Sequence, residues 1–302
     1  MQLKQAAGNT WYLEDWQIIP LYKTSDSTCV LLDSGLRSQR DLIERTLERN
    51  GLRPVGILGS HVHGDHSANH RYFQQKYDIP VALSAGEAGI AVSPLNLKAY
   101  YFYMLHPQAP MTDAQESDLL VEADRIIMPS ENHVTFCGAE FEIVHTPGHT
   151  PDHISIVTPD GVCYMGDAIL TGKFISDAKL PYFFSVQPSI KAMEKLAATD
   201  YPYYLAAHRG LYTEVKPLAE ACIAAVKQCA NRILDTADCG LTRSEIVIAA
   251  CTMMKMLSSK PKKAAFYERN IHIYVDYLVD CGALEVVVRD GVEYYVKTGK
   301  RP

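Results

Sequence analysis

The sequence predicts a layered protein of the mixed α/β (α+β) class, with a small helix–helix–hairpin module at its C-terminal end. Three observations carry that reading. Short β-rich runs alternate with stretches of helical spacing as far as residue 235. Motifs rich in histidine and aspartate follow directly on the ends of β-like runs. Beyond residue 235 the order becomes helix, helix, hairpin, so the expected units are residues 1–235 and residues 236–302.

Within the first 35 residues TWYLEDW, QIIPLYK and TCVLLDSG are β-rich runs broken by polar or turn-forming residues, and are expected as strands. SQRDLIERTLERNG carries Leu42, Ile43 and Leu47 at helical spacing and closes on Gly51, a helix with a glycine stop. PVGILGSH then reads as a buried strand, HSANHRYFQQKYD as a helix and IPVALSA as a strand. Residues 86–126 look helical and irregular around the aromatic stretch LKAYYFYMLH. A period of two returns in RIIMPSE, HVTFCGAEFEIVHTPGH and HISIVTPDGVCYMGDA. SIKAMEKLAATD follows as a helix, YYLAAH as a strand and residues 213–235 as a longer helix. In the tail, LTRSEIVIAACTMMKML and AAFYERNIHIYVDYLVDCG read as helices on either side of SSKPKK, and ALEVVVRDGVEYYVK as a hairpin turning at Asp290-Gly291. That order resembles a winged helix.

Composition narrows the class. With 302 residues, 47% hydrophobic and 21% charged, and a net charge of -6, the chain is neither disordered nor polycationic, and its bulk charge gives no support to nucleic-acid binding. Eight cysteines without a C-x-x-C pair read as reduced, buried thiols. MQLKQAAGNTWYLEDW lacks the basic start and apolar block of a signal peptide, and no apolar run reaches the roughly 18 residues of a membrane span. The cytoplasm is the expected location.

In GSHVHGDHSANH, residues 59–70, His61 and His63 stand two apart and project to one side of a strand, and Gly64 lets the backbone turn. Asp65 and His66 open the next helix, where a carboxylate is favoured. Imidazoles left unpaired in a core carry a desolvation cost that a divalent cation removes. Nitrogen and carboxylate ligands without thiolates suit Zn²⁺ first, with Fe or Mn as alternatives. HTPGHTPDH places His149, CYMGDA places Asp167 and YYLAAHRG places His208, each at a strand end. In layered α/β proteins one sheet edge gathers such ends.

H-x-H-x-D-H at His61, His63, Asp65 and His66, PGHTPDH with His149, GDA with Asp167 and AHRG with His208 together resemble the metallo-β-lactamase-fold hydrolases. The resemblance covers about residues 10–235 and is strongest to the branch containing glyoxalase II and the acyl-homoserine lactonases. It implies a four-layer αββα sandwich in which His61, His63 and His149 bind one metal ion and Asp65, His66 and His208 a second, with Asp167 bridging them. Two divalent ions, Asp65, Asp167 and a bridging hydroxide leave a net charge of about +1, which favours an anionic or strongly polarised substrate. Metal coordination makes hydroxide available near neutral pH, so hydrolysis of a small ester, thioester or lactone is expected, with Asp65 also able to handle a proton. Asp152 departs from the wording PGHTPGH and is expected to alter contacts around the ligands.

Two other functions are open at this stage. Persulfide dioxygenases of the same superfamily use a single iron, held by the equivalents of His61, His149 and Asp167. A nucleic-acid role for the tail would use SSKPKK along phosphates. Against it, Tyr267, Ile271, Tyr274, Tyr277 and Leu278 recur at helical spacings and read as a packing surface, so the expected partners are a small-molecule substrate and a second copy of the chain. Several residues have bland readings. His145 and His153 either orient a ligand or pack a strand end, His70 lies at the surface or behind His66, and Asp33 either supports the centre or simply turns the chain. Cys163 reads as a small apolar residue, AYYFYM and LPYFFS as core ahead of pocket wall, and Lys173 as a loop lysine or a contact for an anionic substrate tail.

Overall fold

The structure, a computed structural model, describes residues 1–102, 117–172, 175, 179–208, 210–237 and 240–302. Seven strands form one sheet in chain order: β1 (Gln2–Ala7), β2 (Thr10–Glu14), β3 (Ile19–Lys23), β4 (Thr28–Leu32), β5 (Arg53–Leu58), β6 (Val81–Ser84) and β7 (Arg125–Ile127). Pairing is antiparallel as far as β4 and parallel from β4 to β7. A second sheet contains β8 (His133–Phe136), β9 (Ala139–His145), β10 (Ile154–Val157), β11 (Val162–Tyr164), β12 (Tyr203–Ala206) and β13 (Gly210–Tyr212) in the order β13-β12-β11-β10-β9-β8. There β11 and β12 run parallel and the other pairs antiparallel.

Strand alternation sorts the apolar side chains into layers. Leu31, Ile57 and Leu83 face outward and pack with Ile43 and Leu47 of α1 (Arg40–Arg49) and Phe73 of α3 (His70–Tyr77). Their neighbours Val30, Leu32, Leu58 and Ala82 face inward and meet Phe141, Ile143, Ile156 and Leu205 of the second sheet. Val144, Val157, Cys163 and Tyr204 point out of that second sheet onto α6 (Val186–Ala197) and α7 (Lys216–Leu234). The result is the four-layer αββα sandwich. Cys163 is fully buried among apolar neighbours, and the described cysteines are free thiols.

The tail shares the third of these cores. Ile246 of α8 (Arg243–Met253), Ile271, Tyr274 and Leu278 of α9 (Pro261–Asp280) and Tyr295 of the β14 (Leu284–Arg289) and β15 (Val292–Lys297) hairpin belong to the same cluster as Met193, Val226 and Ile233. Thr242 caps α8 by accepting from Glu245 N, while Glu245 accepts from Thr242 N at 2.8 Å, a reciprocal box that fixes where the helix begins. No helix among the described residues is long and apolar enough to cross a membrane.

Three local differences from the sequence reading have physical causes. Strand β1 was not expected, because QLKQAA is an edge strand with no buried residue and hence no apolar alternation. The strand through PVGILGSH ends at Leu58, since Ser60 N turns to Asp33 Oδ1 at 2.6 Å instead of continuing the ladder, so His61 and His63 lie on an extended loop. The helix expected through HSANHRYFQQKYD is split into α2 (Gly64–Ser67) and α3, because the Asn69 amide donates to Ser34 O and Leu36 O, both at 2.8 Å.

Between β5 and β7 the helices α4 (Ala85–Ala91) and α5 (Pro94–Phe102) cover the first sheet. At one end of the sandwich the turns are plain connectors. Asn9 N donates to Asp160 at 2.8 Å, Thr10 Oγ1 to Thr158 at 2.7 Å and Lys23 N to Asn9 O at 2.8 Å, and Gly138 lines the same cleft. The loops at the other end carry the motifs. Phe141 fills the space between the sheets, so Phe141→Ala lowers unfolding free energy by about 3–5 kcal/mol in a urea titration, a mean above 5 or below 1 counting against this packing.

Candidate metal centre

Loops leaving β5, β9, β11 and β12 converge at that second end, and two glycines make the convergence possible. Gly148, in the PGH turn, has φ 136°, and a Cβ there would stand 2.3 Å from Ser189 N in α6. Gly166, before Asp167, has φ 52°, and a Cβ would stand 2.5 Å from His153 Nε2. The close approach puts Asp167 N within 3.2 Å of His153 Nε2, to which it donates. Burial and the neighbouring His149 push His153 down to about 3, so its ring stays neutral and can accept.

All seven residues singled out from the sequence come together in two groups, His61–His63–His149 and Asp65–His66–Asp167–His208. His63 Nδ1 lies 3.1 Å from His61 Nε2 and 2.9 Å from His149 Nε2. His208 Nε2 lies 3.3 Å from Asp65 Oδ2 and 3.4 Å from Asp167 Oδ2. That same Asp167 oxygen is 3.5 Å from His66 Nε2 and 3.5 Å from His149 Nε2, so it faces both groups. Two ligands held 2.0–2.1 Å from a tetrahedral ion are separated by about 3.3 Å, so these spacings are those of ligand edges around cations. His66 Nε2 supplies an independent test of fit: it is buried, makes no hydrogen bond among the described residues, and sees Asp167 and Asp65 only at 3.5 and 3.8 Å. The donor set fits divalent ions.

The rings are oriented from behind. Asp33 accepts from Ser60 N and Ser60 Oγ, both at 2.6 Å, from Tyr164 OH at 2.6 Å and from His66 Nδ1 at 2.7 Å. Ser60 spends its one proton on Asp33, so its oxygen accepts from His61 Nδ1 at 2.9 Å and leaves His61 Nε2 as the lone-pair atom. Burial opposes the charge on Asp33, but His66 outweighs it and holds the carboxyl below its usual range. A second buried carboxyl, Glu87 of α4, ties two ligand loops together. Its Oε2 accepts from Val62 N at 2.9 Å, between His61 and His63, and its Oε1 from Thr150 Oγ1 at 2.5 Å and Asp152 N at 3.2 Å, beside His149. Asp152 in turn accepts from Gly86 N at 2.7 Å, which gives its departure from the usual wording a structural role at the start of α4.

Burial keeps the imidazoles of His61, His63 and His149 below the usual histidine range, with neighbouring rings adding to the effect. Those three are neutral. His66 and His208 are also buried, but the Asp167 and Asp65 carboxylates outweigh burial, raising His66 and bringing His208 to about 9. Reciprocally, burial of Asp65 is overcome by His66 and His208, which bring it to about 2.

Other sequence candidates divide. His70 is buried behind the centre with Nδ1 2.7 Å from Ser34 Oγ, so it is not a surface residue, and His145 bonds Glu131 O at 2.9 Å, away from the centre. Lys173 lies outside the described residues. Glu87, Tyr164, Tyr100 and Arg269 had no local motif to reveal them. Tyr100, from the aromatic stretch read as core, is buried and places its hydroxyl 2.7 Å from His63 Nε2.

The family model of the metallo-beta-lactamase superfamily matches residues 9–208. The chain belongs to that superfamily. It is 29% identical over 150 residues to a probable metallo-hydrolase of Bacillus subtilis, YqgX, covering 49% of this chain and 64% of that protein. It is 25% identical over 151 residues to glyoxylase B2 of Dictyostelium discoideum, covering 47% of this chain and 48% of that protein. The matches thus span about half to two thirds of those relatives. In fold it is similar to a metallo-beta-lactamase family protein of Thermus thermophilus, with TM-score 0.70 at 19% identity and 93% of each chain covered.

Two outcomes follow. Filling the Asp65–His66–Asp167–His208 group must displace protons from His66 and His208, so its affinity falls as pH drops below about 9, while the neutral three-histidine group binds with little proton release. Calorimetry of the metal-free protein in buffers of different ionisation heat checks this; equal proton release for both ions would contradict it. Burial raises Glu87 to about 7 from an ordinary 4.5, so the folded protein keeps a proton that the unfolded chain loses. Its contribution to stability is full below pH 4.5 and is lost as pH rises through 7, by about 3 kcal/mol at most. Unfolding of metal-free wild type and Glu87→Gln across that window should show the wild type losing stability relative to the variant as pH rises.

Proposed function

We propose that the protein hydrolyses a small ester, thioester or lactone at a centre of two divalent ions, zinc being the first candidate and iron or manganese the others. The observation that carries this is Asp167 Oδ2, 3.5 Å from His149 and 3.4 Å from His208, between two complete sets of ligand atoms. His61, His63 and His149 would hold one ion, Asp65, His66 and His208 the other, and Asp167 both. At the centre these residues form, bound divalent ions would supply hydroxide near neutral pH and polarise the acyl oxygen.

The remaining work belongs to the chain. Asp33, Ser60 and Tyr100 hold the imidazoles in orientation, and the fully buried His61 and His66 close the back of the centre to water. Asp65, 27% exposed against 8% for Asp167, is the carboxylate at the mouth and the group placed to carry a proton to the departing atom. Trp16, 55% exposed with its ring 5.1 Å from His208, and Phe184, 38% exposed with its ring 5.8 Å from Tyr100, offer apolar surface to an acyl group. A residual charge of about +1 favours a substrate with an anionic or polarised group. The name of the Bacillus subtilis relative, a probable metallo-hydrolase, supports hydrolytic chemistry. A single-iron oxidative reading would leave Asp65, His66 and His208 without a task, so the second group favours hydrolysis.

His61→Ala and Asp167→Ala should each lose bound metal together with at least about 100-fold in kcat/KM on a panel of acyl esters, thioesters and lactones. Chelation should abolish turnover, and added Zn²⁺ should restore it. Turnover persisting in protein shown by elemental analysis to be metal-free would end the proposal. Trp16→Ala should raise KM for long apolar acyl groups about 10-fold with metal content unchanged.

A further inference from the structure

Arg269 sits on α9, 168 residues beyond Tyr101, yet its side chain is buried against the wall of the metal centre. Nη1 donates to Tyr101 O at 2.6 Å and Nη2 to Tyr182 OH at 3.1 Å. The guanidinium also lies 5.5 Å from the Tyr100 ring and 5.4 Å from the Tyr182 ring, and Tyr182 stacks on Phe266 of the same helix at 6.2 Å. Tyr100 OH is 3.3 Å from Tyr182 OH and 2.7 Å from His63 Nε2. Tyr101 OH donates to Val62 O at 2.8 Å, between His61 and His63. The tail therefore grips both tyrosines that touch the H-x-H loop.

We infer that Arg269 is a positioning residue for the three-histidine group, acting through a directed hydrogen-bond chain from His63 through Tyr100 to Tyr182. The inference rests on the metal-centre reading above. Its logic is one of donors and acceptors. A guanidinium has no acceptor, so the Tyr182 oxygen facing it must accept. Tyr182 is half-buried and has its own proton to give towards solvent, so in the proposed chain its second lone pair takes the Tyr100 proton and Tyr100 turns a lone pair to His63 Nε2–H. A proton fixed on Nε2 leaves Nδ1 as the lone-pair atom of His63. Nδ1 is the atom that faces His61 Nε2 and His149 Nε2. The opposite tautomer would aim an N–H at the place where an ion must sit. The C-terminal unit thus takes part in setting how the first ion is received.

The test uses the full-length chain and the variants Arg269→Met, Arg269→Lys and Tyr100→Phe, each checked for cooperative unfolding. Long-range ¹H–¹⁵N correlation on metal-free protein should find His63 as the Nε2–H tautomer in the wild type and as a mixture in Arg269→Met and Tyr100→Phe. In competition with a chromophoric chelator, Tyr100→Phe should weaken the first Zn²⁺ about 10-fold and Arg269→Met by about 3-fold or more, with Arg269→Lys partly restoring it. The second ion should bind within about 2-fold of wild type in all three. The double variant should bind the first ion no more weakly than Tyr100→Phe alone, since both act through one chain. A wild-type His63 protonated on Nδ1, an Arg269→Met protein with wild-type tautomer and first-ion affinity, or additive losses in the double variant would each overturn the inference. A wild type that takes up no metal would instead sink the hydrolase reading, and the tautomer measurement would still decide the chain.

Discussion

The arrangement at the centre depends on a buried carboxylate that is not itself one of the seven converging residues. Asp33 has a left-handed φ of 67°, uncommon for a residue with a Cβ, and that turn presents both its oxygens to donors from three other segments. Because Ser60 and His66 both answer to it, one side chain sets the tautomer of His61 in one ion group and the orientation of His66 in the other. Glu87 plays the complementary part for the loops on the α4 side. Two buried carboxyls thus stand behind the site, Asp33 serving both groups and Glu87 the loops of His61, His63 and His149, and each accepts from several donors, which offsets part of the cost of burying it.

Electrostatics without an ion is a compromise. Three imidazoles are held neutral by burial while two others hold protons against a pair of carboxylates less than 4 Å away. Such a centre has opposing demands that a rigid frame must absorb. The sandwich supplies the frame through three continuous apolar cores, one of which extends into the tail. Stability spent here would be recovered as affinity for the ions proposed to bind, a common exchange at functional sites.

What could be read in the sequence and what could not divide along sequence distance. The residues of H-x-H-x-D-H lie within six positions of one another, and the other three ligand-type residues each follow a recognisable strand by a few positions, so local pattern sufficed to single them out. The four-layer fold was implied by resemblance, while the alternation of Val30, Leu31 and Leu32 between two cores gives its physical cause. Glu87, Tyr100, Tyr164 and Arg269 reach the centre from 25 to 168 positions away, through contacts that no period announces. His61 and His63 were correctly brought to one side for a partly wrong reason: the strand stops at Leu58, and an extended loop does the work. Edge strand β1 was invisible because its residues are at most partly buried, so no alternation of apolar and polar positions marks it.

The sandwich is asymmetric end to end. At the rim built from the connections around Gly8, Thr24, Gly138 and Asp160, polar ties join neighbouring turns, and the described residues there include none of the seven that converge at the candidate metal centre. Substitutions at that rim leave the converging side chains and the groups that orient them untouched. Orientation on a surface or scaffold can accordingly be chosen with the reactive mouth facing outward, a division of labour that leaves one end of the molecule to history and the other to reaction.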